Sequence, residues 1–555
     1  MLAAEPWFPH APDPAEDSGD LKDPAVLRAA DLHRLWHRDF HYPRGVVPLG
    51  TRLVTDLTRG AQRAARSFRL AASGGLAARF VGPFVYMGAV PADPVSDGER
   101  AALLAELRGY PSRFRAHWAA ARAELESRLS ALERVQVGEL DRAGLREYLS
   151  SAWQVHARAW EVHFEFMYPL LAVHQLIGGE LARFGVSTGH LLTLLQAEKS
   201  GVLVVDEALS GLAEAARRAG LARLFTDEAG PLLPRLAAHE PAAPWLAGFR
   251  RFLARYGQRG DALGDLTRPS WAEDPEQPLA LIRALLAGDT DGPRAGLGGR
   301  TPDAESGSPG DLPPECAALL EDARRANVVW WNEEHNLVID LRVHLPIRAA
   351  AMALAAVTSA PEPDLVLYLF PEEVDRLAAG QAGWPELADL AVARRAYYET
   401  WRDRQEELPS SLGPAEAAAA DPVLREIISA SGCGSDPARA QTPLVLHGLG
   451  VSKGVARGRV RVLRSPDDLG SIRRGEVLVC QATSPSWTPV FPLLAACVCD
   501  VGGMLTHAAT ISREYGIPSV CDVGTATRAI RDGDEVEVDG TAGTVTLLHR
   551  PGSAM

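Results

Sequence analysis

The segment 502–518, GGMLTHAATISREYGIP, leaves the chain few conformations. It follows an apolar run at 497–501 that reads as a strand, and Gly502 and Gly503 break that run. Residues 507–515 form an amphipathic run, and Gly516-Ile517-Pro518 stops it. The order predicts strand, glycine turn and helix, with His507 in the first helical turn. Backbone N–H groups at that point have no partner inside the helix and carry partial positive charge, so they suit an incoming phosphoryl group. Gly502 and Gly503 place no Cβ in its way, and Thr506 and the amide of Ala508 complete the expected oxyanion cradle. A neutral imidazole is nucleophilic near pH 7 and can carry a phosphoryl group covalently. The competing structural reading is a helix-cap histidine in an ordinary turn.

With its neighbours, the segment resembles a known family. GGMLTHAATISREYGIPSV is preceded by Ser484-Pro485-Ser486-Trp487-Thr488-Pro489 and by Gly454-Val455-Ala456-Arg457-Gly458. Together these blocks look like the phosphohistidine motif of the swivelling (mobile) domain of PEP-utilising enzymes. The resemblance implies that His507 is transiently phosphorylated and that its domain carries the phosphate between two distant sites. A carrier needs a reachable ring. A ring sealed in a core, or a segment docked too tightly to travel, would remove the basis of this reading.

Composition narrows the other classes. A chain of 555 residues suggests about three to four domains. Hydrophobic residues make up 46% and charged residues 23%, enough to build ordinary globular cores. The formal net charge of -14 argues against a nucleic-acid partner, whose phosphates need a basic face. No apolar run reaches the length of a membrane-spanning helix, and the N-terminus lacks the basic start and apolar core of a secretion signal. The six cysteines match no zinc or disulfide spacing. Cys480, Cys497, Cys499 and Cys521 fall in apolar, strand-like runs, where a reduced thiol acts as a small hydrophobe. The cytoplasm is the expected compartment, and no metal or cofactor is expected on this chain.

Residues 1–95 mix Trp, His, Pro and Gly with short apolar pieces, which predicts irregular structure with some strand and short helix, packed on the helical region after it. Helical periodicity takes over at 98. Asp141 is the expected cap of a helix running through 167. On it Trp153, His156, Trp160, His163 and Met167 share one face. That face is expected as a core seam, or as a seam whose open end lines an aromatic pocket. Further helices are expected at 170–184, 190–203 and 206–219.

Two blocks in the helical region carry chemistry. The first, 249–275, begins as an amphipathic helix and turns at Gly257 into a glycine-rich loop holding Arg259, Asp261, Asp265 and Arg268. Its Tyr-Gly-x-Arg-Gly and Arg-Pro-x-Trp-x-Glu-Asp-Pro resemble the central domain of rifampin phosphotransferases and related dikinase-like enzymes, which raises Arg259 above an ordinary surface residue. The second block, 327–356, wraps on a helix with Trp331, His335 and Arg342 on one apolar face and Asp340 and His344 on the other. Burying His335 and Arg342 is costly unless they are paired, so each is either a structural partner of another helix or a substrate contact. Glu333-Glu334-His335-Asn336, with Ile339-Asp340 following, is similar to a recurrent segment of the same central domain. The expected acceptor site uses His335 as general base oriented by Asp340, with Arg259, Arg342, Trp331 and Glu334 around the substrate.

The chain is therefore expected to be multidomain. An N-terminal segment (1–95) packs on a large, mainly α-helical domain (96–407) with a flexible loop at 296–314. A linker (408–443) follows, then a small α/β swivelling phosphohistidine domain (444–555). Strands are expected at 455–463, 477–482, 497–501 and 520–523, a helix at 488–496, and a hairpin over 536–548. No Walker glycine-lysine loop occurs, and nothing resembles an ATP-grasp nucleotide domain or a PEP/pyruvate barrel. This order is similar to a rifampin phosphotransferase without its nucleotide domain, and to the split architecture of phenylphosphate synthase. It implies a separate ATP-grasp partner that binds ATP and Mg²⁺, phosphorylates His507, and so supplies a small-molecule hydroxyl. The alternatives are a phosphorylation that activates a hydroxyl for dehydration or condensation in a natural-product pathway, and a non-catalytic protein that keeps the fold for binding or regulation.

Overall fold

The computed structural model describes residues 8–9, 21, 24–39, 42, 44–69, 73–186, 191, 195, 201–226, 230–259, 264–287, 313–328, 331, 342–404, 408–409, 411–413, 444–464, 466–483, 485–503 and 506–551. His335, Glu334 and Asp340, most of the loop expected at 296–314 and most of the linker expected at 408–443 lie outside the described residues.

Helices α1 (Thr51–Ser67), α2 (Asp97–Arg108), α3 (Tyr110–Glu133) and α4 (Arg142–Ala182) begin the first body. Local chemistry sets their ends. The Ser96 hydroxyl accepts from the Glu99 N–H while the Glu99 carboxylate accepts from the Ser96 N–H, a reciprocal cap on α2. Pro111 opens α3 where its missing N–H has no intrahelical partner to lose. Asp141 caps α4 by accepting from the Gly144 N–H at 2.8 Å. Helix α4 runs for 41 residues, past the stop expected at 167 and through Pro169, Gly178 and Gly179. Packing overrides propensity there: Trp153, His156, Trp160, His163, Phe166 and Leu170 are all buried along it. Gly60 lets α1 lie close on this helix, since a Cβ at that position would stand 2.8 Å from the Trp160 carbonyl oxygen.

Residues 1–95 are more regular than their composition suggests. Besides α1 they contribute β1 (Ala25–Val26), β2 (Trp36–Arg38), β3 (Ser73–Val81) and β4 (Phe84–Pro91). With β5 (Ser411–Leu412) these form a five-stranded sheet in the order β1-β3-β4-β2-β5. The pairing joins residues more than three hundred positions apart, and most of β3 is buried on both faces, so neither locality nor period-2 alternation marks it.

Helices α5 (Gly201–Arg218), α6 (Ala222–Thr226), α7 (Leu232–Ala238), α8 (Ala243–Tyr256) and α9 (Glu276–Ala287) follow. Then α10 (Pro314–Arg325), α11 (Leu345–Val357), α12 (Pro371–Ala378) and α13 (Trp384–Asp403) return to the core of α1–α4. The group α5–α9 has a different apolar partner: Leu209, Phe225, Phe249, Trp271 and Ile282 share one core with Trp487, Phe491, Cys499 and Ile511 near the C-terminus. The loop after α8 ties the two bodies together, because Arg348 donates to the Leu266 carbonyl at 2.6 Å and to Glu273 at 3.3 Å.

The C-terminal region is an eight-stranded sheet built from β6 (Val445–His447), β7 (Leu449–Ser452), β8 (Val455–Leu463), β9 (Val477–Cys480), β10 (Ala496–Cys499), β11 (Ser519–Cys521), β12 (Glu535–Asp539) and β13 (Thr544–His549). Its order is β6-β13-β12-β8-β9-β10-β11-β7, with β8 to β11 parallel. Strands β6 and β7 are consecutive in the chain yet occupy opposite edges. The sheet therefore curls until Gly448 donates to the Gly543 carbonyl, and a Cβ on Gly450 would stand 2.4 Å from the Gly540 oxygen. Helix α14 (His507–Tyr515) packs beside β10 and β11, and α15 (Ala526–Ala529) follows β11. Residues 485–493 form a 3₁₀ turn where the sequence predicted an α-helix, because Pro489 and Pro492 cannot supply the N–H groups of an α ladder. Cys480, Cys497, Cys499 and Cys521 are buried and reduced, with the Cys480 and Cys499 sulfurs 3.6 Å apart.

The buried pair of Arg394 and Glu373 locks α13 to α12. The Arg394 guanidinium is fully buried and donates to both Glu373 oxygens and to the Tyr368 carbonyl. Replacing it by Met (Arg394→Met) leaves a carboxylate without its cation and is expected to cost about 3–5 kcal/mol. The urea midpoint reads this directly, and an unchanged midpoint would mean that the pair contributes nothing net.

Candidate active site

The glycine turn forms where the sequence places it. Gly502 has φ +146°, and a Cβ there would meet Thr506 Oγ1 at 3.1 Å and Cys521 Sγ at 3.3 Å, so conformation and space both require glycine. Thr506 is the N-cap residue of α14, with extended backbone. Its hydroxyl does not cap the helix; it donates to the Gly503 carbonyl at 2.8 Å, which also accepts the Thr506 N–H. In this arrangement Thr506 closes the turn rather than offering its hydroxyl to an oxyanion. The first amides of α14, including that of Ala508, head the helix without a side-chain cap and keep the partial positive charge of a helix start.

His507 is the first residue of α14. Its Nδ1 is hydrogen-bonded to the Thr483 hydroxyl and its Nε2 to the Thr488 hydroxyl, each at 2.8 Å. A neutral imidazole has one N–H and one lone pair, so one threonine oxygen accepts and the other hydroxyl donates. Phe491 stands edge-on to the ring with centroids 5.9 Å apart. Burial lowers the His507 pKa to about 3, so the ring is neutral and carries a nucleophilic lone pair throughout the neutral range. The two flanking threonines come from the ends of different elements: Thr483 follows β9, and Thr488 belongs to the 3₁₀ turn. Neither was expected as a ring partner. Thr488 lies inside the Ser-Pro-Ser-Trp-Thr-Pro block, which was the available signal.

The ring is also closed. His507 is only 5% exposed, and the turn that carries Thr488 and Phe491 packs in turn on α5 and α9. The reachable ring that a carrier needs is absent from this arrangement, so a carrier role would require this cover to open.

The expected acceptor residues divide. Arg259 is 7% exposed, and its guanidinium lies 5.3 Å from the Trp271 ring centroid. Burial lowers its pKa to about 10 against the opposing pull of Asp206. Arg342 instead donates to both oxygens of Glu126 and both of Glu133, at 2.9–3.3 Å, which makes it an ion-pair hub between helices rather than a free anion grip. Trp331 is 1% exposed and packs against Trp118 and His163, which places it in the core seam of α4. The expected base His335, with Glu334 and Asp340, lies outside the described residues. Among the described residues no group of three or more His, Cys, Asp or Glu side chains could hold a metal ion, and no helix is long and apolar enough to cross a membrane.

The site geometry sets a pH signature. The folded-state pKa of His507 lies below its unfolded value of about 6.5. The unfolded chain therefore binds the proton first, and this group's contribution to stability is lost as pH falls from about 6.5 towards 3. The His507 ring nitrogens, followed by ¹⁵N NMR, are expected to show no titration between pH 8 and 5; a midpoint near 6.5 would contradict the closed ring. Thr488→Val leaves Nε2 buried without a partner and is expected to cost about 1–3 kcal/mol in urea unfolding.

Comparison with known proteins agrees with these elements. Residues 472–543 match the family described as PEP-utilising enzyme, mobile domain, and residues 163–301 match that described as rifampicin phosphotransferase fourth domain. The chain is 32% identical over 453 residues to chondramide synthase cmdD of Chondromyces crocatus, covering 77% of this chain and 11% of that protein. It is 26% identical over 418 residues to the uncharacterised phosphotransferase YvkC of Bacillus subtilis, covering 71% of this chain and 48% of that one. A rifampicin phosphotransferase of Streptomyces sviceus is 46% identical over 103 residues, or 19% of this chain and 12% of its own length. The chain thus spans from about a tenth to about half of the length of these relatives. It carries the mobile domain of the PEP-utilising enzymes, joined to a helical region of the rifampicin phosphotransferase fourth-domain type.

Proposed function

We propose that the chain is the phosphoryl-carrying and acceptor-binding component of a phosphotransferase, with His507 as the carrier. The observation that carries this reading is a neutral imidazole at the head of α14, beside a glycine turn and uncapped amides, with a hydroxyl at each ring nitrogen. In the first step a ring nitrogen attacks the donor phosphorus, a P–N bond forms, and the P–O bond to the leaving group breaks. The threonine hydroxyl at that nitrogen has to swing aside, and it is then placed to donate to a phosphoryl oxygen. In the second step the acceptor hydroxyl attacks, the P–N bond breaks, and the hydroxyl proton passes to a base. His335, oriented by Asp340, is the candidate base from the sequence, with Glu334 beside it. Arg259, a buried cation stacked on Trp271, is the candidate anion grip. The donor is ATP with Mg²⁺ held by a separate ATP-grasp protein, and the acceptor is a small molecule bearing a hydroxyl.

One observation favours a second outcome. A relative matched over 77% of this chain bears the name of a synthase, which supports a phosphorylation that activates a hydroxyl for dehydration or condensation. Product mass separates the two outcomes.

Incubation with ATP labelled in both its β- and γ-phosphates, Mg²⁺ and an ATP-grasp partner is expected to place acid-labile label on the wild-type chain and none on His507→Ala. Arg259→Ala is expected to retain the label and to pass it to acceptor at least about tenfold more slowly. Label that persists in His507→Ala would sink the carrier assignment.

A further inference from the structure

The far end of the carrier helix makes a contact that the phosphoryl chemistry does not use. Tyr515, the last residue of α14, donates its hydroxyl to Asp206 Oδ2 on α5 at 3.1 Å. His507 and Tyr515 stand at opposite ends of one helix, about 12 Å apart along its axis. The 3₁₀ turn that covers the ring packs on α5 and α9 in the same apolar core. Undocking α14 from α5 would therefore also take away the support that α5 and α9 give the turn covering His507, and free that turn to open.

We propose that the Tyr515–Asp206 contact is a pH-sensitive latch that holds the histidine domain on α5 and keeps the His507 ring closed. Asp206 is 4% exposed. Around it stand Glu207 on its own helix, Glu514 and Tyr515 on α14, and Arg259 from the loop after α8, which in turn feels Arg342. Glu514 Oε2 is buried with no hydrogen-bond partner among the described residues, and its carboxyl feels the Arg513 cation on its own helix and couples to Asp206 across the seam. The seam thus buries two carboxyls close together, Asp206 under the pull of Arg259 and Glu514 under that of Arg513. Burial raises the Asp206 pKa well above the usual carboxylate range and brings Glu514 to about 7. In the undocked form both groups return to water and to ordinary acidity. The docked form accordingly binds these two protons more tightly, so docking weakens as pH rises through about 7, while His507, which takes up a proton only when the ring opens, opposes this trend below about 6.5. Whether the closed state restrains phosphoryl transfer rests on the carrier reading; the latch itself does not.

The test is carbethoxylation of His507 by diethyl pyrocarbonate on the full chain, located by mass spectrometry and normalised at each pH to N-acetylhistidine amide. The normalised wild-type rate is expected to rise between pH 6 and 8, and Glu514→Gln is expected to flatten that rise. Tyr515→Phe, which loses one hydrogen bond, is expected to label about three- to tenfold faster at pH 6.5. Ala280→Arg is a second route that spares the latch residues, since a Cβ on Gly470 would already meet the Ala280 Cβ at 3.8 Å. A bulky side chain there wedges the seam and should also speed labelling. Thermal melts confirm that each variant is folded. The latch is overturned if Tyr515→Phe labels at the wild-type rate, whether the wedge opens the ring or not, or if wild-type labelling is flat from pH 6 to 8. Failure of His507 to accept label from ATP would overturn the carrier reading and leave these rates unaffected.

Discussion

A buried imidazole has to be held neutral by its surroundings, and the rest of the histidine-bearing region is built around that requirement. Charging the ring inside the closed seam is costly, so burial lowers its pKa to about 3. Neutrality alone would leave two polar nitrogens unsatisfied. Thr483 and Thr488 meet that need from two different elements, and their hydroxyls can reverse donor and acceptor roles as the ring tautomer demands. Thr483 and the glycine turn that leads into α14 follow the C-terminal ends of the adjacent parallel strands β9 and β10, which brings them to one end of the sheet.

The C-terminal sheet region is not a separate body in this arrangement. Trp487, Phe491 and Ile511 complete a core with α5–α9, while α10–α13 return to α1–α4. The region matched as a rifampicin phosphotransferase fourth domain includes this docking partner. Arg348, Glu273 and the Leu266 carbonyl then fasten the loop after α8 to the other body. The same seam that buries apolar surface also closes the ring, so stability of docking and access to His507 are opposed.

Much of the region around His507 was legible because its signals are local. A glycine pair, a helix-length amphipathic run and a Gly-Ile-Pro stop occupy 502–518, and each acts on its immediate neighbours. Asp141 was legible as a cap for the same reason. The acceptor side was not. Arg342 lies among apolar residues of its segment, and only the fold reveals that Glu126 and Glu133, some two hundred residues earlier, engage its guanidinium. Trp331 has the residue type of a pocket wall and the burial of a core residue. The sheet over 25–91 was not legible either, because its last strand comes from 411–412.

From residue order alone come the strand–turn–helix unit, the histidine at its head and the family it resembles, since glycine conformation, helix termination and amide polarity act over a few residues. Tertiary structure decided the ring partners, the engagement of Thr506 with Gly503, the pairing of Arg342 and the closure of His507. Each of these depends on which distant surfaces exclude water together, and desolvation is a property of the assembled core rather than of any stretch of chain.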